Sequence, residues 1–319
     1  MANIFGTTGD DTINGGPGDD NVDGYTGNDI LTDIWGANTI MGGTGNDKLI
    51  SGAGGDTLDG GTGEDYLNAG EGDNYLDGGT GNDMIISGNG TDFIYGGTDN
   101  DTIYSNAGND TIDGGSGIDY MEAGSGDDSM VGGSGSDSLI GGLGGDIMTG
   151  GSGIDYFIYK SLEESSPNNM DTIIDFVHSD YDRINLSAVD ADVNQPGMQR
   201  FTFIGSNAFT APGQVRFDSV THTMYATNNA DASPELKVQM SEVPSLDVTD
   251  FIFDRAGAYY GGYGVYEGSY GLYNGGNGAY YGNGLSNLLE TYAMFDFLGQ
   301  NQVIKMQNRM SQNPIEKRS

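Results

Sequence analysis

Aspartate returns on a nine-residue spacing through the first half of the chain. It stands at Asp11, Asp20, Asp29, Asp47, Asp56, Asp65, Asp83, Asp92, Asp101, Asp110, Asp119, Asp128, Asp137, Asp146 and Asp155, with Asn38 and Asn74 in the two intervening places. Two residues before each of them the chain carries Gly, as at Gly45, Gly63 and Gly81, with Asp99 as the one exception. Glycine admits the positive φ angles of a tight turn. Such a turn exposes backbone carbonyls, and the aspartate adds a carboxylate. Hard oxygen donors at this density suit Ca²⁺, which takes about 6–8 oxygens at about 2.3–2.6 Å. The fifteen aspartates are therefore the candidate metal ligands, and calcium is the candidate cofactor.

The elements that position them follow from the same spacing. From Gly6 to Ile158 the sequence divides into 17 consecutive nonapeptides of the form G-G-x-G-x-D-x-U-x, with U apolar. Gly78-Gly79-Thr80-Gly81-Asn82-Asp83-Met84-Ile85-Ile86 is a clean copy. Position 8 is apolar in all 17 units, from Ile13 and Val22 to Met148 and Phe157. The last three residues of a unit make a short strand whose middle side chain faces inward. Two units complete one coil, so units n and n+2 stack on the same edge with an ion between their turns. Nine odd and eight even units leave at most about 15 such positions. Fifteen calcium ions would carry about +30, against a formal charge of −36 from 47 acidic and 11 basic residues. The spacing predicts an all-β chain: a parallel β-roll (a β-solenoid) of 17 nonapeptides.

Composition agrees. A chain with 57 Gly and only 35% hydrophobic residues would suit disorder, but a strict period overturns that reading. The negative charge repels phosphate backbones and anionic membranes, so nucleic acid is not an expected partner. No apolar run reaches the ~18 residues of a membrane helix, and with no Cys there are neither disulfides nor thiolate metal sites. Met1–Phe5 lacks the basic start and apolar core of a Sec signal. Any export address is expected at the C-terminus.

These nonapeptides resemble the RTX (repeats-in-toxin) family, whose β-rolls bind calcium. A second stretch extends the resemblance: Asp155-Tyr-Phe-Ile-Tyr159, Asp171-Thr-Ile-Ile-Asp-Phe176 and Asp182-Arg-Ile-Asn-Leu-Ser187 are similar to the domain after the roll in serralysin-type secreted proteases, as far as about Phe253. The resemblance implies type I secretion, with that machinery as a partner, and folding on external calcium. It thus implies a secreted protein, extracellular or at the cell surface. Unlike serralysins, the sequence opens on the repeats, so a zinc protease domain before the roll is not expected, and it continues for 66 residues past Phe253.

Four regions result. Residues 1–158 form the calcium-binding roll. Residues 159–254 form a serralysin-C-terminal-like β cap, with strand-like runs at Thr172–Val177, Phe201–Ile204, Gln214–Phe217, Thr223–Ala226 and Leu236–Met240. Residues 255–284 are a Gly/Tyr-rich low-complexity segment, read either as a flexible linker or as a cohesive segment. Residues 285–319 carry an amphipathic helix and a basic tail, read either as an export signal or as a packing helix.

Catalysis is not expected. His178 and His222 are the only histidines, no HExxH occurs, and Gly133-Ser134-Gly135-Ser136 lies in a calcium turn rather than at a hydrolase elbow. Two working surfaces are expected instead. Odd units point Ile30, Ile50, Tyr66, Met84, Ile86, Tyr104, Tyr120 and Ile140 outward, whereas even units show Asp23, Asp59, Asp77 and Asp113 with Phe93 and Tyr95. The apolar odd-sheet face, with the Tyr/Gly tail, suits self-association into a surface layer, matrix or filament. A Thr/Asn edge, built from Thr8, Thr26, Thr44, Thr62, Thr80 and Thr98 with Asn28, Asn46, Asn82 and Asn100, would suit ice or another ordered ligand. A lesser alternative is an accessory domain of a secreted enzyme. Calcium is expected to be missing or poorly held near Asn38, and the odd edge to be the better filled.

Overall fold

Position 8 sets the architecture. The computed structural model describes residues 1–229, 233–241 and 243–254. All of these residues lie in one compact unit. Successive nonapeptides deliver strands alternately to two sheets. Even units supply Asn21–Asp23, Thr39–Thr44 and their successors; odd units supply Thr12–Asn14, Ile30–Thr32 and theirs. Each strand pairs in parallel with the strand 18 residues on, so Leu49 faces Leu67 and Ile94 faces Ile112. Among the described residues one sheet gathers 14 strands and the other 11. Between them runs a file of inward side chains, including Leu31, Leu49, Leu67, Ile85, Ile103 and Met121, all fully buried. Each aliphatic rung contributes roughly 1.5–3 kcal/mol.

The turns need left-handed backbone. Gly81 has φ +119°, and a Cβ there would collide with the carbonyl oxygen of Gly63 in the preceding coil. Asp99, the exception at this position, still adopts φ +76°. Its short polar side chain tolerates that region better than most.

The parallel stack does not stop at Ile158. Phe157 pairs with Ile184, and Ile184 with Phe251. On the other sheet Met148 pairs with Ile173, and Ile173 with Met240. Gln214–Asp218, Thr223–Thr227 and Leu236–Met240 then turn antiparallel, and Thr202–Phe203 lies at the sheet's edge. The five expected strand-like runs of the cap all contain strands. At the opposite end Ile4 and Ile13 are only partly buried. The expected Gly/Tyr segment (255–284) and C-terminal helix (285–319) lie outside the described residues. No helix among the described residues is long and apolar enough to cross a membrane.

The outward faces differ from the expectation. Ile50, Met84, Ile86 and Tyr104 of the odd sheet are half-buried, and Ile140 is buried. These long side chains stand in register and cover one another: the Tyr104 and Tyr120 rings lie 5.8 Å apart, and Lys48 stands 5.1 Å over Tyr66. Ile30 of the odd sheet is 45% exposed, but most of the exposed large apolar groups are on the even sheet, with Tyr75 50%, Phe93 54% and Tyr95 40% exposed. Their flanking neighbours Thr57, Thr111, Asp77 and Asp113 are too short to cover them.

Candidate metal centres

The position-6 carboxylates form two continuous ladders. On the odd edge the N–H of Asp47 donates to Oδ1 of Asp65 at 2.7 Å, Asp65 to Asp83 at 2.7 Å, and Asp83 to Asp101 at 2.8 Å. On the even edge Asp92 donates to Asp110 at 2.9 Å and Asp110 to Asp128 at 2.8 Å. One carboxylate oxygen of each residue thus locks adjacent coils together.

The other oxygen has no such partner. Oδ2 is buried without a hydrogen bond at Asp29, Asp47, Asp56, Asp65, Asp83, Asp92, Asp101, Asp110, Asp119, Asp128, Asp137, Asp146 and Asp155. On the odd edge these oxygens point into a gap kept open by the glycine at position 1. A Cβ on Gly60 would stand 2.6 Å from Oδ2 of Asp65 and 2.7 Å from the carbonyl oxygen of Gly78; one on Gly114 would stand 2.6 Å from Asp119 Oδ2 and 2.7 Å from the Gly132 carbonyl. Carboxylate and carbonyl oxygens therefore converge, acceptors only. Leaving such groups buried and unpaired is costly. A hard cation satisfies them, and the donor set fits calcium. Without that positive charge, burial pushes Asp65 up to about 6, Asp83 to about 7 and Asp101 to about 8, against the backbone N–H donated from the preceding coil.

This chain is similar to two known families along most of the described region. Residues 3–31, 34–67, 50–85 and 86–121 match the RTX calcium-binding nonapeptide repeat in four copies. Residues 3–31 and 34–121 of the roll are thus similar to RTX repeats. Residues 122–253 match the Peptidase M10 serralysin C terminal. Neither description is of a catalytic domain. Among solved structures, the chain is similar to the solution structure of the AlgE6R3 subunit from the Azotobacter vinelandii mannuronan C5-epimerase, with 22% identity, a TM-score of 0.27, and coverage of 68% of this chain and 94% of that one. No curated protein matches the chain.

Fourteen of the fifteen singled-out aspartates are buried in the roll. Asp11 is not: it lies in the first turn, where its Oδ2 accepts from the Thr7 N–H at 2.6 Å and hydroxyl at 2.9 Å. Two further residues continue the ladders and were missed by the sequence frame. Asp146 donates to Oδ1 of Asp171, and Asp155 to Oδ1 of Asp182, both at 3.0 Å. Oδ2 of Asp171 is buried and unpaired, and burial pushes that residue up to about 8. The signal was present as Asp171-Thr-Ile173 and Asp182-Arg-Ile184, which keep positions 6 to 8 but lack the glycines before them.

The two asparagines keep the ladder and change the gap. Asn38 Oδ1 accepts from Asp20 at 3.0 Å, and Asn74 Oδ1 from Asp56 at 2.9 Å. Asn38 Nδ2 donates to the carbonyls of Asp33 at 3.0 Å and Gly36 at 3.3 Å, and Asn74 Nδ2 to that of Gly72 at 2.8 Å. An amide donor thus faces carbonyls that an acceptor-only turn would leave free. The Asn residues at position 5 are also engaged: Asn28 Oδ1 accepts from the N–H of Asn46 at 2.8 Å, and Asn46 Oδ1 from Glu64 at 3.0 Å.

Outside the ladders, His178, Asp247 and Asp250 form a third group with ligand-like spacing. Its oxygens are in use. Asp250 Oδ1 bonds His178 Nδ1 and raises its pKa, while Asp250 Oδ2 accepts from the Asp247 N–H at 2.7 Å. The group fastens the loop after Phe176 to the last described turn.

Proposed function

We propose that the chain is a secreted, calcium-binding structural protein, not an enzyme, whose roll folds on meeting external calcium. The carrying observation is the double file of buried, unpaired Oδ2 atoms, which on the odd edge converge with backbone carbonyls of the next coil. The ligands are the position-6 aspartates from Asp20 to Asp155, extended by Asp171, with neighbouring turn carbonyls. Calcium supplies the positive charge that lets these carboxylates stay ionised in the folded state. The chain's own part is to hold one oxygen of each carboxylate on the ladder and aim the other. Extracellular sites of this kind have Kd values of roughly 10⁻⁴–10⁻³ M, so low internal calcium leaves the chain unfolded for type I export. The serralysin C-terminal match supports that route.

The folded roll assembles with other copies into a layer, matrix or filament. The half-buried stripe Ile50, Met84, Ile86 and Tyr104 is one support, and the exposed Tyr75, Phe93 and Tyr95 are another. Circular dichroism during a chelator–calcium titration, with light scattering on the same samples, tests both steps. We expect β structure to appear with calcium and scattering to rise after it. Full β structure in chelator would remove the calcium reading; a monomer at millimolar calcium would remove assembly alone.

One observation favours a second reading. Thr44, Thr62, Thr80 and Thr98 are exposed and paired in register along one edge. This hydroxyl ladder would suit an ordered ligand such as ice, and a monomer that reshapes ice crystals would favour it. In the neighbouring Asn series the Oδ1 atoms of Asn28 and Asn46 are held between coils, which leaves the threonines as the freer hydroxyl surface.

A further inference from the structure

The fourth repeat breaks the pattern twice, at Asp33 in place of the position-1 glycine and at Asn38 in place of the position-6 aspartate. The two departures are coupled. Asp33 is 0% exposed, and neither of its carboxylate oxygens has a hydrogen-bond partner of standard geometry. Its side chain folds back towards the preceding coil. A Cβ on Gly15, the position-1 residue of the second repeat, would collide with Oδ2 and Cγ of Asp33. In ordinary odd-edge units that space is bordered instead by the unit's own aspartate Oδ2 and the next coil's carbonyl, as at Gly60. Asp33 therefore aims a buried carboxylate, approached only by the Trp35 backbone N–H outside standard geometry, into the gap between the second and fourth repeats.

The charge count explains why one is needed there. An ordinary gap is bordered by two position-6 carboxylates, one through its free Oδ2, as Asp65, and one from the next coil through the Oδ1 held on the ladder, as Asp83. Between the second and fourth repeats Asp20 supplies one, and Asn38 supplies none. We propose that Asp33 completes a divalent-cation site at this gap, facing Gly15 and shared with Asp20, and so restores the carboxylate that Asn38 removes. Asp33 lies between two of the matched repeat copies, which end at residue 31 and resume at residue 34. The eighth repeat is a control within the same chain: Asn74 also replaces aspartate, but position 1 there is Ala69, which offers no carboxylate. The gaps on either side of Asn74, and the one between Asn38 and Asp56, stay at a single carboxylate. The weakness expected around Asn38 is thus confined to its C-terminal side.

This inference rests on the calcium reading of the roll, and the test separates the two. Crystals of the full chain grown in calcium are measured at a wavelength where calcium scatters anomalously, and bound ions are counted by native mass spectrometry. We expect a peak beside the Asp33 carboxylate and none beside Asn74. Asp33→Asn is expected to lose one ion and leave the other peaks in place. Asp33→Gly, which restores the repeat's usual residue, is expected to lose the same ion and guards against a folding defect in the first variant. Asp33→Gly combined with Asn38→Asp is expected to regain it. Filled odd-edge gaps with nothing beside Asp33, or an unchanged ion count in both single variants, overturn this site alone. A chain that binds no calcium at any turn overturns the reading of the whole roll.

Discussion

A position-6 aspartate divides its two oxygens between two tasks. Oδ1 takes a backbone N–H from the coil below, and Oδ2 is left buried for a cation. The consequence for pH has a definite sign. In the absence of calcium, folded Asp83 sits near 7 and Asp101 near 8, with burial the first cause; an unfolded aspartate sits near ~3.9. The folded state then binds more protons than the unfolded one. The stability these groups contribute is present below about 4 and is lost as pH rises through about 6–8. In chelator, β structure by circular dichroism should therefore be greater at about pH 5 than at about pH 8.5. In millimolar calcium the order should reverse, since the cation competes with protons for the same oxygens. A chelated roll that gains structure as pH rises would sink this account.

An element of the roll is one short strand plus the turn that delivers it, and each depends on a single inward side chain. Ile103 is fully buried between Ile85 and Met121, whereas Ile86, one position from Ile85, points outward and is half-buried. Ile103→Ala should cost about 2–5 kcal/mol. Ile86→Thr, which keeps a β-branched residue at the surface, should stay within about 1 kcal/mol. The calcium concentration at the folding midpoint, followed by circular dichroism, should rise clearly for the first and barely for the second. Equal shifts would mean that the inward file does not hold the coils together. Strands and turns at this scale were legible because the period is strict: Gly81, Asp83 and Ile85 each have one job at one spacing. Asp171 and Asp182 were not, because the insertions that precede them break the nine-residue count while the stacking continues. The odd face was misjudged for another reason. Side-chain type gives direction, but mutual cover among Tyr104, Tyr120 and their neighbours depends on register across coils. Asp33 was not legible as a ligand because its carboxylate faces the preceding coil, 18 residues away in sequence.

For the whole molecule, the decisive quantity is the balance between 47 acidic and 11 basic residues. Exposed charge of one sign expands an unfolded chain and opposes compaction. Calcium relieves this where the carboxylates are most crowded, so folding and loss of repulsion are one event. Small-angle scattering should show the radius of gyration falling from roughly 60 Å, the scale of an unfolded chain of this length, as calcium is added. The transition should coincide with the circular-dichroism change. Contraction well before β structure appears would mean that the ions act by screening rather than at built sites.

The strands of one sheet are paired 18 residues apart, two units at a time, and this has a consequence for how such a gene can grow. Duplication of a pair of repeats inserts a whole coil and leaves every later strand in its own sheet. Duplication of a single repeat exchanges the sheets for everything downstream. The threonine edge would then continue on the opposite side, and residues after Ile158 would meet the wrong partners. Changes in length should therefore be inherited in even numbers of repeats, and an odd number should survive only where a compensating insertion resets the parity.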